Sequence, residues 1–171
     1  MDSYFEEEHD LDIVRDLFEH LDIDGPDHDQ MYQLFGVFKT DMIDSPIYIN
    51  GVKVAHDERK SRHPLFRGKP TGFEHICTRE SKHSRKRNFD PERANKIHWI
   101  KPVIEHKENT RVRYFERIHG NGKNQQYYWL YEKKYVVIIR EINENLQLVT
   151  AFKVDDLERA RFENWYKSYH N

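Results

Sequence analysis

From about residue 111 the hydrophobic positions follow a strand pattern, in short segments rich in Val, Ile and aromatic residues. Turns that contain Gly or Asn, at residues 120–122 and 143–145, separate these segments. Segments joined by turns this short predict an antiparallel meander. The predicted strands are Arg111–Ile118, Gln126–Glu132, Tyr135–Ile142 and Leu146–Val154.

An earlier pair of β segments flanks the dipeptide Asn50-Gly51. This dipeptide is typical of a two-residue type I′ turn, so residues 47–54 predict a β-hairpin. Residues 55–70, which contain Pro64 and Pro70, predict a polar, basic loop.

The first 44 residues have hydrophobic positions at helical spacing, with acidic residues between them. One helix is predicted over residues 10–21 and a second from about Asp27 to Phe38. Gly25-Pro26 separates the two. The pattern therefore predicts an acidic helical hairpin, in which the first helix buries Leu11, Val14, Phe18 and Leu21.

Three further helices are predicted. One covers residues 72–82, and the next begins at Asp90-Pro91, a typical cap and first helical residue. Pro102 is expected to kink or end that second helix. Asp155 is the predicted cap of a last helix after the strands. The order of elements predicts an α+β fold with helices on one face of an antiparallel sheet.

The charge is divided unevenly along the chain. Residues 1–50 contain fourteen Asp and Glu against only Arg15 and Lys39, whereas residues 51–171 contain 26 basic and 16 acidic residues. The net charge of the whole chain is only −2, but residues 51–171 alone are strongly basic. Such a part predicts a polyanionic partner, most simply nucleic acid.

Composition excludes several classes of protein. Cys77 is the single cysteine, which excludes a disulfide framework and a cysteine zinc site. The acidic beginning is unlike a signal peptide, and no run approaches the roughly 20 apolar residues of a membrane span. We therefore expect a cytoplasmic protein that does not enter a membrane.

Residues 73–104 combine histidines with many basic residues, a combination suited to proton transfer beside a phosphate. Cleavage of RNA without a metal needs a base, an acid and a cation that stabilises the phosphorane. His75 and His83 are the candidate proton carriers. If the predicted helix persists, His75 and Arg79 lie on one face of it. The candidate phosphate ligands are Arg79, Lys82, Arg85, Arg87 and Arg93.

Each of these residues also has a simpler interpretation. His75 could be a surface residue paired with a neighbouring Glu, and the run from Lys82 to Arg87 a solvated loop. Tyr114 and Tyr128 could stack on unpaired bases, or pack in the core of the sheet. The eleven histidines form no HxH or HExxH spacing, so we expect neither a metal nor another cofactor.

An ordered set of motifs resembles a known group of proteins. Phe73-Glu-His75-Ile is followed by basic residues, then by Arg93-Ala-x-x-Ile97-x-Trp99-Ile100, and finally by a strand with Leu148-Val-Thr150-Ala151-Phe152. This order resembles the phage-associated nucleases of the Barnase–EndoU–colicin–RelE superfamily, over about residues 45–155. Residues 1–44 lie outside the resemblance, so we divide the chain into an acidic helical extension, 1–44, and a nuclease-like domain, 45–171.

The resemblance implies a small metal-independent endoribonuclease of phage or prophage origin, with two helices packed on a four-stranded antiparallel sheet. His75 matches the histidine of the first helix in these proteins. Arg79, Lys82 and Arg93 match the basic positions that follow it, and Thr150 matches a hydroxyl residue on the final strand. The implied partners are RNA, with tRNA as one candidate, and an antitoxin or immunity protein.

The leading hypothesis is therefore a toxin-like ribonuclease that makes a cyclic phosphate, with His75 as acid or base and His83 as its complement. Two other hypotheses remain open. A non-catalytic nucleic-acid-binding module would have the same basic surface. A protein-interaction module would use the acidic extension to bind a basic partner.

Overall fold

The computed structural model describes residues 11–12 and 15–171, and its main feature is a six-stranded sheet. The strands are β1 Tyr48–Ile49, β2 Val52–Ala55, β5 Val112–Ile118, β6 Asn124–Leu130, β7 Tyr135–Ile142 and β8 Asn145–Lys153. They lie in the order β1-β2-β8-β7-β6-β5. A separate hairpin pairs β3 Thr78–Glu80 with β4 Arg87–Phe89.

The predicted antiparallel meander is confirmed, since β5, β6, β7 and β8 pair with one another in sequence order. The Asn-Gly hairpin also forms, with φ values of 50° at Asn50 and 81° at Gly51. β2 then joins β8 in parallel, through Val54 and Leu146. The sheet is therefore mixed and has six strands, rather than the four antiparallel strands that were expected.

Besides the helical residues 11 and 12, the described part of the chain forms five α-helices: α1 His28–Phe38, α2 Thr71–Cys77, α3 Pro91–Ala94, α4 Ile100–Glu105 and α5 Asp156–His170. A π-helix, Lys39–Asp44, continues α1, and two 3₁₀-helices cover Ile97–Trp99 and Tyr131–Lys133. Both predicted caps are present, because Asp90 accepts from the N–H of Arg93 and Asp155 from that of Glu158. None of the described helices has the length and apolar character needed to cross a bilayer.

The helix predicted over residues 10–21 is wrong from residue 15 onward, since residues 15–27 are not helical. Val14, one of its predicted apolar positions, lies outside the described residues. The backbone here forms tertiary hydrogen bonds instead. The N–H of Leu17 donates to the Asn95 carbonyl at 3.0 Å, and that of Phe18 to Asn95 Oδ1 at 2.8 Å. Leu11 and Asp12 are helical, but residues 15–27 are not, so the predicted helical hairpin does not form over residues 15–27.

Two other helices differ from their predictions. The helix predicted over residues 72–82 ends at Cys77, where Thr78 adopts an extended conformation and begins β3. The predicted second helix is divided into α3, a 3₁₀-turn and α4. Pro102 lies in the first turn of α4, where a backbone N–H has no helical partner, so it does not break the helix.

Hydrophobic side chains fill both faces of the sheet. The main core lies between one face and α1–α4, and a second core on the other face holds Phe162 of α5. The ring of Phe162 lies 5.6 Å from that of Trp129. The prediction of helices on one face only is therefore wrong, although the general α+β class is confirmed.

The segment before residue 45 contributes to the main core. Leu34, Phe38 and Met42 are each at most 2 % exposed. The ring of Phe38 lies 5.3 Å from that of Phe73 on α2. Helix α1 therefore packs against the elements that follow it.

We predict that Phe38→Ala destabilises the whole protein. Deleting a buried phenylalanine side chain costs about 3–5 kcal/mol, from lost burial and the cavity that remains. Tyr32→Ala is the matched control, because Tyr32 lies on the same helix and is 78 % exposed. Urea unfolding should show one cooperative transition that moves to lower urea in Phe38→Ala only. An unchanged midpoint would contradict the packing of α1 into the main core.

Candidate functional site

A cleft of about 700 Å³ opens where α2, the β3–β4 hairpin, α3 and β8 meet. Seven of the residues predicted from the sequence line it, and they are His75, Arg79, Lys82, His83, Arg87, Arg93 and Thr150. Arg85 is exposed on the loop between β3 and β4 and is not part of this lining. The structure thus brings most of the candidate site together.

A bulge in β8 places Thr150 at the cleft. Leu148 pairs with Ile139 and Thr150 with Ile138, so Val149 is an extra residue in β8. Leu148 faces the main core before the bulge, and Ala151 faces it after the bulge. The extra residue therefore shifts the alternation of the strand by one position. Val149 and Thr150, between Leu148 and Ala151, both line the cleft. Bulges commonly redirect side chains beside functional sites.

One backbone carbonyl, that of Thr78, holds two of the arginines. It accepts from Arg87 Nη2 at 3.1 Å and from Arg93 Nη1 at 3.3 Å. Arg93 Nη1 also lies 3.4 Å from Thr150 Oγ1. Arg87 Nε donates to Thr78 Oγ1 at 2.9 Å. The two guanidinium groups come from β4 and α3 and converge at the C-terminal end of α2, where carbonyl groups lack helical partners.

The electrostatics of this arrangement favour an anion. Burial lowers the pKa of Arg93, Asp90 raises it, and the charges of Arg87 and Arg79 lower it further. Arginine remains protonated in proteins, so the three positive charges stay close together. A bound phosphate would remove much of this repulsion and would accept bidentate hydrogen bonds.

His75 is half-buried at the cleft, with 41 % of its side chain exposed. Burial is the main cause that lowers its pKa, and the charge of Arg87 acts in the same direction. Glu74 raises the pKa, with Glu74 Oε2 3.6 Å from His75 Nε2. A lowered pKa keeps the imidazole neutral near pH 7, the form that can act as a general base.

The predicted helical relation between His75 and Arg79 is wrong, because α2 ends between them. Arg79 is exposed on β3. It also lines two neighbouring depressions, one of which includes Asp24 and Arg87. An acidic turn of the N-terminal segment therefore lies beside the basic residues of the cleft.

The two tyrosines proposed to bind substrate do not line the cleft. Tyr128 is fully buried, and its hydroxyl donates to Gln126 at 2.6 Å. Tyr114 donates to Glu116 at 2.7 Å and packs edge-on against Tyr128 at 5.1 Å. Alternation along β6 turns Tyr128 into the main core, so its contact with substrate is corrected to core packing.

Sequence reasoning missed several residues of the cleft or its floor. Asn88, Ser81 and Glu80 line it, and Glu74 lies beneath it. Glu74 directly precedes His75, but sequence alone placed it on a helix surface. Its carboxylate accepts a hydrogen bond from Ser61, a residue of the loop that sequence alone predicted only as a polar connection.

Among residues 11–12 and 15–171, no three His, Cys, Asp or Glu side chains are grouped so that they could hold a metal ion. Comparison with protein-family models found no matching family, and comparisons with curated proteins and with solved structures found no match.

We predict that the folded protein loses stability as the pH falls below about 6.5, the ordinary pKa of histidine. Burial lowers the pKa values of His56, His75 and His98, so the unfolded chain takes up protons that the folded chain resists. Urea unfolding at pH 7.5 and pH 5.5 should show a lower midpoint at pH 5.5.

The variant His98→Gln should reduce this dependence on pH, because the substituted side chain does not titrate. The control His119→Gln, at an exposed position, should leave it unchanged. Equal midpoints at both pH values in the unsubstituted protein would contradict the prediction.

Proposed function

We propose that the cleft binds an RNA phosphodiester and cleaves it without a metal ion, leaving a 2′,3′-cyclic phosphate. The observation that carries this proposal is the convergence of Arg87 and Arg93 on the Thr78 carbonyl, beside His75 and Thr150. Paired guanidinium groups next to a half-buried imidazole are the groups that this reaction requires.

In the proposed reaction, neutral His75 takes the proton from the 2′-hydroxyl, and the 2′-oxygen forms a bond to phosphorus. Arg87 and Arg93 stabilise the negative charge of the phosphorane, since both already lie beside the cleft. The bond between phosphorus and the 5′-oxygen then breaks. His83 gives a proton to that oxygen from the exposed loop between β3 and β4.

Two features support RNA as the substrate. The excess of basic residues after residue 50 suits a polyanion, and four of those residues line the cleft itself: Arg79, Lys82, Arg87 and Arg93. The resemblance to phage-associated nucleases, which comes from the sequence, agrees with this choice. From the same resemblance we propose tRNA as one candidate substrate and a protein inhibitor as a partner.

A binding module without catalysis is the second candidate. It is favoured by the position of His83, which is exposed on a loop, where its backbone N–H lies 3.4 Å from Ser81 Oγ. A general acid is usually held in place by its neighbours. Binding alone needs only the arginines.

The first test is cleavage of total tRNA in the presence of EDTA. The unsubstituted protein should produce fragments that end in 2′,3′-cyclic phosphate. His75→Ala should lower the rate at least about 100-fold, the usual size of a general-base contribution, and should still bind RNA. His119→Ala, an exposed histidine in the β5–β6 turn, is the matched control.

Retained cleavage in His75→Ala would contradict the assigned base. Salt-sensitive binding without cleavage by either protein would support the binding module. Negligible binding at physiological salt would instead support a protein partner.

The acidic turn gives a second prediction. Asp24 shares a depression with Arg79 and Arg87, so its carboxylate should repel a phosphate chain entering the cleft. Asp24→Asn should therefore bind RNA more tightly, by about two- to fivefold at low salt, with a smaller gain at high salt.

Asp29→Asn is the matched control, because Asp29 is exposed in the first turn of α1. Fluorescence anisotropy with a labelled RNA at two salt concentrations measures both effects. Substitution is preferable to deleting residues 1–44, since deletion would also remove Leu34 and Phe38 from the main core. Equal affinities in the two variants would argue against an influence of the turn.

A further inference from the structure

Glu74 is a buried carboxylate directly beneath the cleft. Its side chain is only 10 % exposed, although glutamate is among the residues least often buried. Its Oε1 accepts a hydrogen bond from the Ser61 hydroxyl at 2.7 Å. Ser61 is itself 4 % exposed and is held by backbone hydrogen bonds with Lys69 and Gly68. The carboxylate is therefore anchored from behind by an ordered loop.

The other carboxylate oxygen faces the two groups on which the proposed chemistry depends. Glu74 Oε2 lies 3.6 Å from His75 Nε2 and 3.7 Å from Arg87 Nε. Removing a charge from water is costly, and a buried carboxylate is retained when it is paired and hydrogen-bonded. Here the pairing partners are the candidate base and one of the candidate phosphate ligands.

The backbone of Glu74 belongs to the same network. Its carbonyl accepts from the Thr78 hydroxyl at 2.8 Å, and that hydroxyl oxygen accepts from Arg87 Nε at 2.9 Å. Behind Arg87, its own carbonyl lies 2.9 Å from His63 Nε2. Loop 55–70 therefore holds the backbone of Arg87, and the end of helix α2 holds its guanidinium group, both in fixed positions relative to Glu74.

We propose that Glu74 is the positioning residue of the cleft, whose buried carboxylate orients the His75 imidazole and the Arg87 guanidinium toward one phosphodiester. This inference rests on the function proposed above. A carboxylate that faces Nε2 favours the tautomer with the proton on Nε2, so Nδ1 becomes the nitrogen that accepts the 2′-hydroxyl proton. Hydrogen bonds of this kind are commonly long without substrate and shorten when it binds.

Other charged groups also act on His75. Arg87 lies on the side of the cleft, and Asp57 acts from the loop before α2, where it is paired with Arg59 at 2.6 Å. Asp57 and Arg59 have opposite effects on the His75 pKa, as do Glu74 and Arg87. Removing the charge of Glu74 alone should leave Arg87 unopposed beside the imidazole.

The experiment follows the His75 imidazole by NMR during a pH titration of the full chain, and compares it with the pH profile of RNA cleavage. In Glu74→Gln, which keeps the size and the polar atoms, the His75 pKa should fall by roughly half a unit or more. In the pH profile of kcat/KM, the apparent pKa that belongs to His75 should move by the same amount. The kcat should fall about tenfold or more with a smaller change in KM.

Glu80→Gln is the matched control. It removes one negative charge from the same cleft at an exposed position on β3. The His75 pKa should stay within measurement error in this variant. An equal shift in both variants would show a general effect of charge and would overturn the positioning role.

Ser61→Ala gives a second route if Glu74→Gln fails to fold. It releases Oε1 and keeps the carboxylate charge, so the carboxylate is no longer held in place beside His75. The His75 pKa should therefore change and kcat should fall, each by less than in Glu74→Gln. An unchanged His75 pKa together with an unchanged kcat in Ser61→Ala would overturn the inference, as would a lower kcat with an unchanged His75 pKa in folded Glu74→Gln.

Failure of the proposed function would look different. If the unsubstituted protein does not cleave RNA, the reaction is refuted, but the NMR titration still shows whether Glu74 and His75 are coupled. If the protein cleaves RNA and the titration of His75 is the same in Glu74→Gln, the reaction stands and the positioning role is refuted.

Discussion

The end of α2 at Thr78 is the constraint on which the cleft depends. Because the chain becomes extended there, the Thr78 carbonyl is free of the helix and accepts from both Arg87 and Arg93. The Thr78 hydroxyl meanwhile joins Arg87 to the last turn of α2. A longer helix would have used this carbonyl internally and would have carried Arg79 away from β4. The basic site therefore exists because the helix is short.

The parts of the fold that sequence predicted correctly depend on local patterns. The meander, the Asn-Gly turn and the helix caps at Asp90 and Asp155 are each specified by neighbouring residues. The parts that it missed depend on distant contacts. Parallel pairing of β2 with β8 joins residues about ninety positions apart, and Leu17 and Phe18 are held by Asn95. No periodicity within a short window could show either contact.

The residues of the candidate site also divide into those that neighbouring residues predicted and those that depend on distant contacts. Residues 75–93 were grouped because they are close in sequence, and a two-stranded hairpin folds them around one cleft even though the predicted helix ends early, at Cys77. Thr150 came from the resemblance alone, and the β8 bulge brings it to Arg93. Sequence left both base stacking and core packing open for Tyr128, because aromatic composition does not show which face of a strand is buried. Glu74 was missed because the hydrogen bond to its buried carboxylate comes from Ser61, thirteen residues earlier.

The arginines around Thr78 are proposed to form a phosphodiester site. The most direct measurement is an NMR titration of the full chain with a short 2′-O-methylated RNA, which cannot be cleaved by attack of the 2′-oxygen. We predict saturable shifts in the side-chain resonances of Arg87 and Arg93 and in the amide of Thr150, together with weaker binding as salt increases. Shifts confined to another surface, with these three residues unchanged, would contradict it.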